Sequence, residues 1–168
     1  MITAALFVVG VLVVAVVVWW RFFHIARPVF PPLQIADNDP LMAEANRKAQ
    51  RTLDRFRGLY ADLNQKARVK VPFVTSSGVR EYLWAEVREL GQEDAEVLYL
   101  TPPVTHEGRL DRIHRHPLSE IVDWQVELPD GSYRGGFTMR VMFRRGREHW
   151  GSLPPQLEEE ERRYGDEA

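Results

Sequence analysis

The chain has 168 residues, of which 45 % are hydrophobic and 27 % charged, and it contains no cysteine. This length favours a single domain with attached segments, and the net charge of -2 with a pI near 6.2 gives no electrostatic case for binding nucleic acid. The absence of cysteine excludes disulfides, thiolate zinc sites, cysteine nucleophiles and a lipid-modified N-terminal cysteine.

The N-terminal segment, residues 1–27, is predicted to be a membrane anchor. Ile2 to Trp20 is uncharged and would form a helix of roughly 28 Å, close to the hydrocarbon thickness of a bilayer. Trp19 and Trp20 lie where an aromatic belt is expected, and Arg21 follows, whereas no basic residue precedes the run. We therefore predict an uncleaved single-pass helix in the inner membrane. The basic flank favours a cytoplasmic domain, and a periplasmic domain is the alternative.

The next two segments are predicted to be a spacer and a long helix. Residues 28–38 are rich in proline, which favours an extended, semi-rigid linker. Asp39 is a good N-cap and Pro40 suits the first helical position, so a helix is predicted to begin there. Apolar residues then recur every three or four positions as far as about Ala67, which predicts one continuous amphipathic helix.

After this helix the sequence predicts strands. Short runs of β-branched and aromatic residues are bounded by turn residues, and they predict strands at 69–75, 82–90, 96–100, 121–128 and 136–144. One helix followed by strands predicts an α+β fold, in which the long helix packs on a mostly antiparallel sheet of about five strands. The last of these strands competes with a helix, because Phe137 and Val141 are also four residues apart.

The glycines between residues 123 and 141 indicate backbone geometry before chemistry. Asp130-Gly131 is a common reversal between two strands. Gly135-Gly136 has no following lysine and no nucleophile motif, so a phosphate loop or a hydrolase elbow is not indicated. This glycine pair predicts a bulge or the close approach of another backbone. The predicted domain ends near residue 150, and 151–168 is predicted to be a charged segment that forms either a frayed helix or a disordered tail.

A candidate polar site is predicted around Trp84, Asp123, Trp124 and Arg140. An aspartate beside a tryptophan can be a buried acid with a raised pKa, although a structural, hydrogen-bonded aspartate is the competing interpretation. The sequence indicates no catalytic pair, so no catalytic residue and no cofactor are assigned. Whether Asp123 and Arg140 form a buried ion pair or open into a pocket is the question left to the structure.

Two further groups of side chains have competing interpretations. His114 and His116 would project to the same side of a strand, but the arginines beside them would repel a cation, so surface histidines are predicted rather than a metal site. Arg47, Arg51 and Arg55 on the long helix indicate either a solvated face or attraction to anionic lipid.

Several short motifs carry a resemblance to a known family. They are DPLMAEA from Asp39, VKVPF at 69–73, EYLWAEV at 81–87, IVDW at 121–124 and GGFTMR at 135–140. Together they are similar to the bacterial domain-of-unknown-function family 2314, also called YegJ-like. The resemblance covers about two thirds of the chain. It implies an α+β domain, and it implies no activity, cofactor or catalytic residue.

The functional hypothesis from the sequence is a non-enzymatic binding or interaction module. It would be anchored in the lipid bilayer and would recruit a protein or a small ligand. The alternative is a small membrane-associated, hydrolase-like enzyme that uses Asp123, Arg140 and a histidine. Convergence of these side chains in one pocket would favour the enzyme. The oligomeric state stays open.

Overall fold

The described residues form four α-helices and one six-stranded sheet. The computed structural model describes residues 33, 35, 36, 38–63 and 66–165. In chain order the elements are α1 (Pro40–Arg51), α2 (Leu53–Leu63), β1 (Ala67–Val74), β2 (Arg80–Leu90), β3 (Asp94–Tyr99), β4 (Ile113–Pro117), β5 (Asp123–Glu127), β6 (Tyr133–Gly135), α3 (Phe137–Trp150) and α4 (Pro155–Arg162). A 3-10 turn, Leu118–Glu120, precedes β5. The predicted α+β class is confirmed.

All neighbouring strands of the sheet are antiparallel, in the order β4-β3-β2-β1-β5-β6. The first strand in sequence therefore lies in the interior of the sheet. Val69 is opposite Ala85 on one side and Trp124 on the other. Since side chains directly opposite each other share a face, these three residues lie on the same face of the sheet.

This face carries the main hydrophobic core. In β1 the side chains of Ala67, Val69 and Val71 are buried, at every second position, as expected for a strand with one face covered. The cover comes from α1 and α2, where Phe56 stacks on Trp124 with ring centroids 5.4 Å apart. Truncation of a buried aromatic residue of this size costs about 3–5 kcal/mol, so this pair is a major contributor to stability.

The predicted single long helix is wrong in two respects. Its predicted end near Ala67 belongs to β1, since α2 ends at Leu63, and the structure breaks the helix at Thr52. There φ is -111° and ψ is 15°, and the Thr52 hydroxyl donates to the Lys48 carbonyl at 2.8 Å. The buried Trp124 indole donates to the Ala49 carbonyl at 3.2 Å and lies 3.1 Å from the Thr52 oxygen. Tertiary contact with the indole therefore occupies backbone groups that a continuous helix would use. The predicted N-cap, Asp39, is confirmed.

The strand favoured at 136–144 is wrong and the competing helix is correct, because Phe137–Trp150 form α3. Its alternating apolar residues are buried on two different sides of the helix. Phe137 and Val141 pack against the main core, whereas Met139 and Phe143 pack in a second cluster with Leu153. A helix that is buried on two sides reproduces the alternation that is typical of a strand.

The other four predicted strands are confirmed within a few residues, and two strands were not predicted. In β4, the sequence IHRHP has little apolar signal because the strand forms one edge of the sheet. In β6 there are only three residues, too few for any periodicity. Edge strands are short and polar in many proteins, which limits the pattern that a sequence can offer.

Of the two alternatives predicted for the C-terminal segment, the described residues form the helix and not the disordered tail. Residues 155–162 form α4, and Tyr164 is buried with 7 % of its surface exposed. Tyr164 packs against Tyr133 and Phe143, with ring centroids 5.0 and 5.5 Å away. An ion pair between Arg147 and Glu161 adds a link to α3. A few aromatic contacts are enough to order a segment whose composition is mostly charged.

The predicted membrane anchor, residues 1–27, and most of the predicted spacer, 28–38, lie outside the described residues. In the part of the chain that the structure does describe, no helix has both the length and the apolar character needed to cross a membrane. The membrane prediction therefore stays a prediction.

Candidate functional site

Asp123 is the most completely coordinated polar side chain of the candidate site. It begins β5 and is fully buried. Its Oδ1 accepts from the backbone N–H of Trp124 at 2.8 Å and of Phe137 at 3.1 Å. Its Oδ2 accepts from the Thr138 N–H at 2.7 Å and the Thr138 hydroxyl at 2.6 Å. Asp123 therefore caps α3 from a neighbouring strand, where the helix N-terminus favours negative charge.

Burial and hydrogen bonding act in opposite directions on this carboxyl group. Burial has the larger effect and raises the pKa of Asp123 to about 6, while the bonds from Thr138, Trp124 and Phe137 lower it. Asp123 thus combines the two interpretations offered by the sequence, a buried acid with a raised pKa and a hydrogen-bonded structural aspartate. These donors hold the carboxylate in place, so it orients the start of α3.

The glycine pair makes this cap possible. Gly136 is the N-cap residue of α3, with a φ of 66° and no side chain to cap the helix itself. Its N–H donates to the Trp124 carbonyl at 2.7 Å. At Gly135 φ is 82°, and an added Cβ would lie 2.1 Å from the Trp124 carbonyl oxygen. The predicted close approach of another backbone is confirmed, and it brings the α3 N-terminus onto Asp123.

The predicted polar site is only partly assembled. Lys70 in β1 is directly opposite both Trp84 in β2 and Asp123 in β5, so these three residues form one row on the face opposite the main core. Trp124 points to the other face, into the main core, because successive residues of a strand alternate. Two of the four predicted residues therefore share a face, and Lys70 lies between them.

Arg140 does not pair with Asp123. Its guanidinium donates to the carbonyl of Gly165 at 2.9 Å and to that of Tyr164 at 3.4 Å, and it lies 5.5 Å from the Tyr164 ring centroid. The side chain thus fastens the segment after α4 to α3. The predicted alternatives of a buried Asp123–Arg140 ion pair and a shared pocket are both replaced by separate structural roles.

His114 and His116 lie elsewhere, in β4, and the prediction of surface histidines is wrong for His116. His116 is buried, with its Nε2 2.8 Å from the Tyr99 hydroxyl and its Nδ1 3.2 Å from Glu120. The rings of His114 and Tyr99 are 5.0 Å apart. Among the described residues, no group of three or more His, Asp or Glu side chains is placed to hold a metal ion. The histidines do not join Asp123 in one site.

The basic residues of α1 are partly neutralised within the helix. Arg47 and Arg51 both contact Glu44, at 2.6 and 2.8 Å. All three side chains are more than half exposed, so water and salt screen each pair and its contribution to stability is small. Pairing nevertheless reduces the positive charge that this helix offers to anionic lipid.

The row that contains Lys70 borders an open cleft of about 380 Å³. We call it the Lys70 cleft, and its described lining residues are Ile35, Ala36, Met42, Asn46, Lys70, Arg80, Tyr82, Val122 and Thr138. Lys70 and Arg80 are the charged residues of this lining, and both are cations. Asn46, Tyr82 and Thr138 add polar groups between apolar side chains. Apolar walls with a few convergent polar groups are typical of small-molecule sites.

The two cations of the Lys70 cleft have no ion-pair partner within 4 Å among the described residues. Lys70 is half-buried, and burial lowers its pKa, whereas the nearby charge of Asp123 acts in the opposite direction. Arg80 is exposed at the start of β2. A half-buried cation without an ion pair is unusual, because the charge has lost part of its hydration.

Sequence reasoning did not identify Lys70 or Arg80. Lys70 belongs to VKVPF, where the valines on either side predict a strand and the lysine is expected to face solvent. The strand register identifies Lys70, because a lysine in an interior strand has a cross-strand neighbour on each side. That register places it opposite Asp123, which no local pattern reveals.

Comparison with known proteins gives one family. Residues 39–149, about two thirds of the chain, match the family described as "Uncharacterized protein conserved in bacteria (DUF2314)". The predicted resemblance to family 2314 is therefore confirmed, and the label YegJ-like stays untested. No curated protein and no solved structure matches the chain. The matched range includes both cations of the Lys70 cleft and Asp123.

Proposed function

The chain belongs to the DUF2314 family of bacterial proteins, and we propose that it acts as a membrane-tethered, non-enzymatic binding module for a small anionic ligand. The ligand site is the Lys70 cleft. The observation that carries the proposal is the pair of cations, Lys70 and Arg80, in one cleft whose described lining has no acidic residue.

An anion bound in the cleft would give Lys70 and Arg80 the ion-pair partner that they lack among the described residues. A carboxylate or phosphate in the cleft can accept charge-assisted hydrogen bonds from Arg80 and Lys70, with further donors on Asn46 and Tyr82. Lys70 gains most, because an opposite charge beside a half-buried ammonium offsets its lost hydration. The volume of about 380 Å³ suits a small molecule rather than a peptide.

Binding is favoured over hydrolysis because the predicted catalytic groups are engaged elsewhere. Asp123 accepts its hydrogen bonds from Trp124, Phe137 and Thr138. Arg140 holds backbone carbonyls near the C-terminus. In the part of the chain that the structure describes, no arrangement of nucleophile, base and orienting acid includes these two residues, so the hydrolase-like alternative has no geometric support.

Tethering is supported by the uncharged run Ile2 to Trp20 and the basic flank that begins at Arg21. The proposed location is the inner membrane, with the domain in the cytoplasm. Fractionation and protease protection of sealed inner-membrane vesicles test both parts. Recovery in the soluble fraction would refute the tether, and digestion of the domain from the periplasmic face alone would refute the orientation.

Ligand binding is tested by screening the full chain, purified in detergent, against small carboxylates and phosphates by thermal shift and titration calorimetry. For the best anion, we expect Arg80→Met and Lys70→Met each to reduce affinity by about 10–100-fold, since a charge-assisted contact contributes about 1.5–3 kcal/mol. Arg88→Met is the matched control, because Arg88 is exposed on the same strand and outside the cleft lining. Equal losses in all three variants, or no saturable binding, would refute the cleft as the site.

A further inference from the structure

The lysines of this chain are few and differ in environment. There are three, Lys48, Lys66 and Lys70, among 22 basic residues that are otherwise arginine. Lys48 and Lys66 are exposed, whereas Lys70 is half-buried and lines the cleft. A lysine can lose its proton and become a nucleophile, which an arginine cannot do in a protein.

The surroundings of Lys70 make loss of its proton easier than it is at an exposed lysine. Its side chain lies in the row between Trp84 and Asp123, and burial lowers its pKa. Asp123 opposes this effect only in part, and its oxygens are occupied by the start of α3. Desolvated lysines of this kind are the ones that proteins use for Schiff-base formation.

Arg80 can bind the anionic group of a ligand, because it stays positively charged at all physiological pH values. It lies four residues before Trp84 on β2, on the same face as the row. The backbones of Arg80 and Trp84 are therefore about 13 Å apart, and Tyr82 lies between them. Two long side chains that line one cleft can contact different parts of one small ligand.

Resting on the proposed anion site, we propose that its ligand is a small anion that carries a carbonyl group, of the 2-oxo acid class, and that Lys70 captures it reversibly as an imine. Arg80 binds the carboxylate and thereby places the carbonyl carbon at the Lys70 end of the cleft.

The reaction involves no oxidant or reductant. The lone pair of the uncharged Nζ attacks the carbonyl carbon, a C–N bond forms, and the carbonyl oxygen takes a proton to give a carbinolamine. Loss of that oxygen as water leaves a C=N bond, so amine plus carbonyl gives imine plus one water. The imine nitrogen retains the ability to be protonated, and its positive charge then faces Asp123. Protons exchange with water of the open cleft.

Reductive trapping tests the proposal. The full chain in detergent is incubated near pH 7.5 with pyruvate and sodium cyanoborohydride, which converts an imine into a stable secondary amine, and the labelled peptides are mapped by mass spectrometry. We expect most of the label on Lys70 rather than on Lys48 or Lys66, because burial lowers the pKa of Lys70 and Arg80 places the carbonyl carbon beside it. Arg80→Met lowers labelling at Lys70 about tenfold, and in denaturant the three lysines become equivalent.

Lactate separates this inference from the proposed function, because it has a carboxylate and the shape of pyruvate but no carbonyl. We expect lactate to bind the wild type and Lys70→Arg alike, while Lys70→Arg loses the trapped adduct and Lys66→Arg retains it. If lactate binds but pyruvate labels all three lysines equally, the imine is refuted and the anion site stands. If no small anion, lactate and pyruvate included, binds at the cleft, the proposed function falls and the imine falls with it.

Discussion

Replacing Gly135 by alanine tests how the backbone positions Asp123, because Gly135 brings the end of β6 against β5. Two separate costs arise at this position. Its φ of 82° is a left-handed conformation, and the added Cβ would lie 2.1 Å from the Trp124 carbonyl oxygen and 2.6 Å from the indole ring. Gly131 in the preceding turn has the same φ of 82°, but a Cβ added there would have no neighbouring atom within 4 Å. Gly131→Ala therefore isolates the cost of conformation.

The two magnitudes follow from these contacts. The left-handed conformation costs an alanine about 1–2 kcal/mol at either glycine. At Gly135 the Cβ must also displace the backbone carbonyl of Trp124, and overpacking of this kind costs about 1–3 kcal/mol or more. We therefore expect Gly135→Ala to lower the free energy of unfolding by about 2–5 kcal/mol, and Gly131→Ala by about 1–2 kcal/mol.

Urea unfolding, followed by tryptophan fluorescence, measures the difference on a fragment that begins at Leu33, where the compact unit of the domain begins. Both variants are compared with the wild type at the same pH. Equal losses for Gly135→Ala and Gly131→Ala would show that the contact with Trp124 contributes nothing. That result would refute the argument that a close backbone approach holds the start of α3 on Asp123.

Three further predictions concern buried polar groups, and urea unfolding of the same fragment measures each. Asp123→Ala leaves the α3 N–H groups without an acceptor and should cost about 3 kcal/mol, whereas Asp130→Ala in the exposed turn should cost much less, because water can replace its contacts. The folded pKa of Asp123 is about 6, above the ordinary 3.8, so the folded state keeps this proton at pH values where the unfolded state has lost it. As pH rises from about 4 to 6, the free energy of unfolding of the wild type should therefore fall relative to that of Asp123→Asn, by up to about 3 kcal/mol. A difference between the two proteins that does not change with pH would contradict the raised pKa. Tyr99→Phe removes the hydroxyl that His116 contacts and should cost about 1–2 kcal/mol without changing anion affinity.

The elements that sequence predicted well are those whose signals are local. Asp39 caps α1 as predicted, because an aspartate before Pro40 is a helix start in almost any context. The strands that form β1, β2, β3 and β5 are predicted within a few residues, since their apolar content reflects burial.

The errors come from contacts that join distant parts of the chain. The break at Thr52 depends on the indole of Trp124, which is 72 residues away. The sequence of α3 predicts a strand because its two buried sides face different clusters. The order of α4 depends on the burial of Tyr164, a single aromatic residue in a charged segment. Local composition carries none of this information.

The candidate site shows the same limit. Asp123 was identified with both of its possible roles, and the structural one is observed. The functional partner predicted for it, Arg140, is engaged with Gly165 instead. Its actual neighbour, Lys70, became visible only when the register of β1 and β5 was known. Sequence therefore located Trp84 and Asp123, and sheet topology placed Lys70 between them.

Nuclear magnetic resonance with the fragment that begins at Leu33 tests the central claim most directly. Backbone amide spectra are recorded during titration with the small carboxylate or phosphate that binds best, at constant pH and ionic strength. We predict saturable shifts at Lys70, Arg80 and Tyr82, with Asn46 on α1 also affected, because these residues line one cleft. Shifts that fail to saturate, or that map to a different surface, would contradict the assignment of the Lys70 cleft as an anion site.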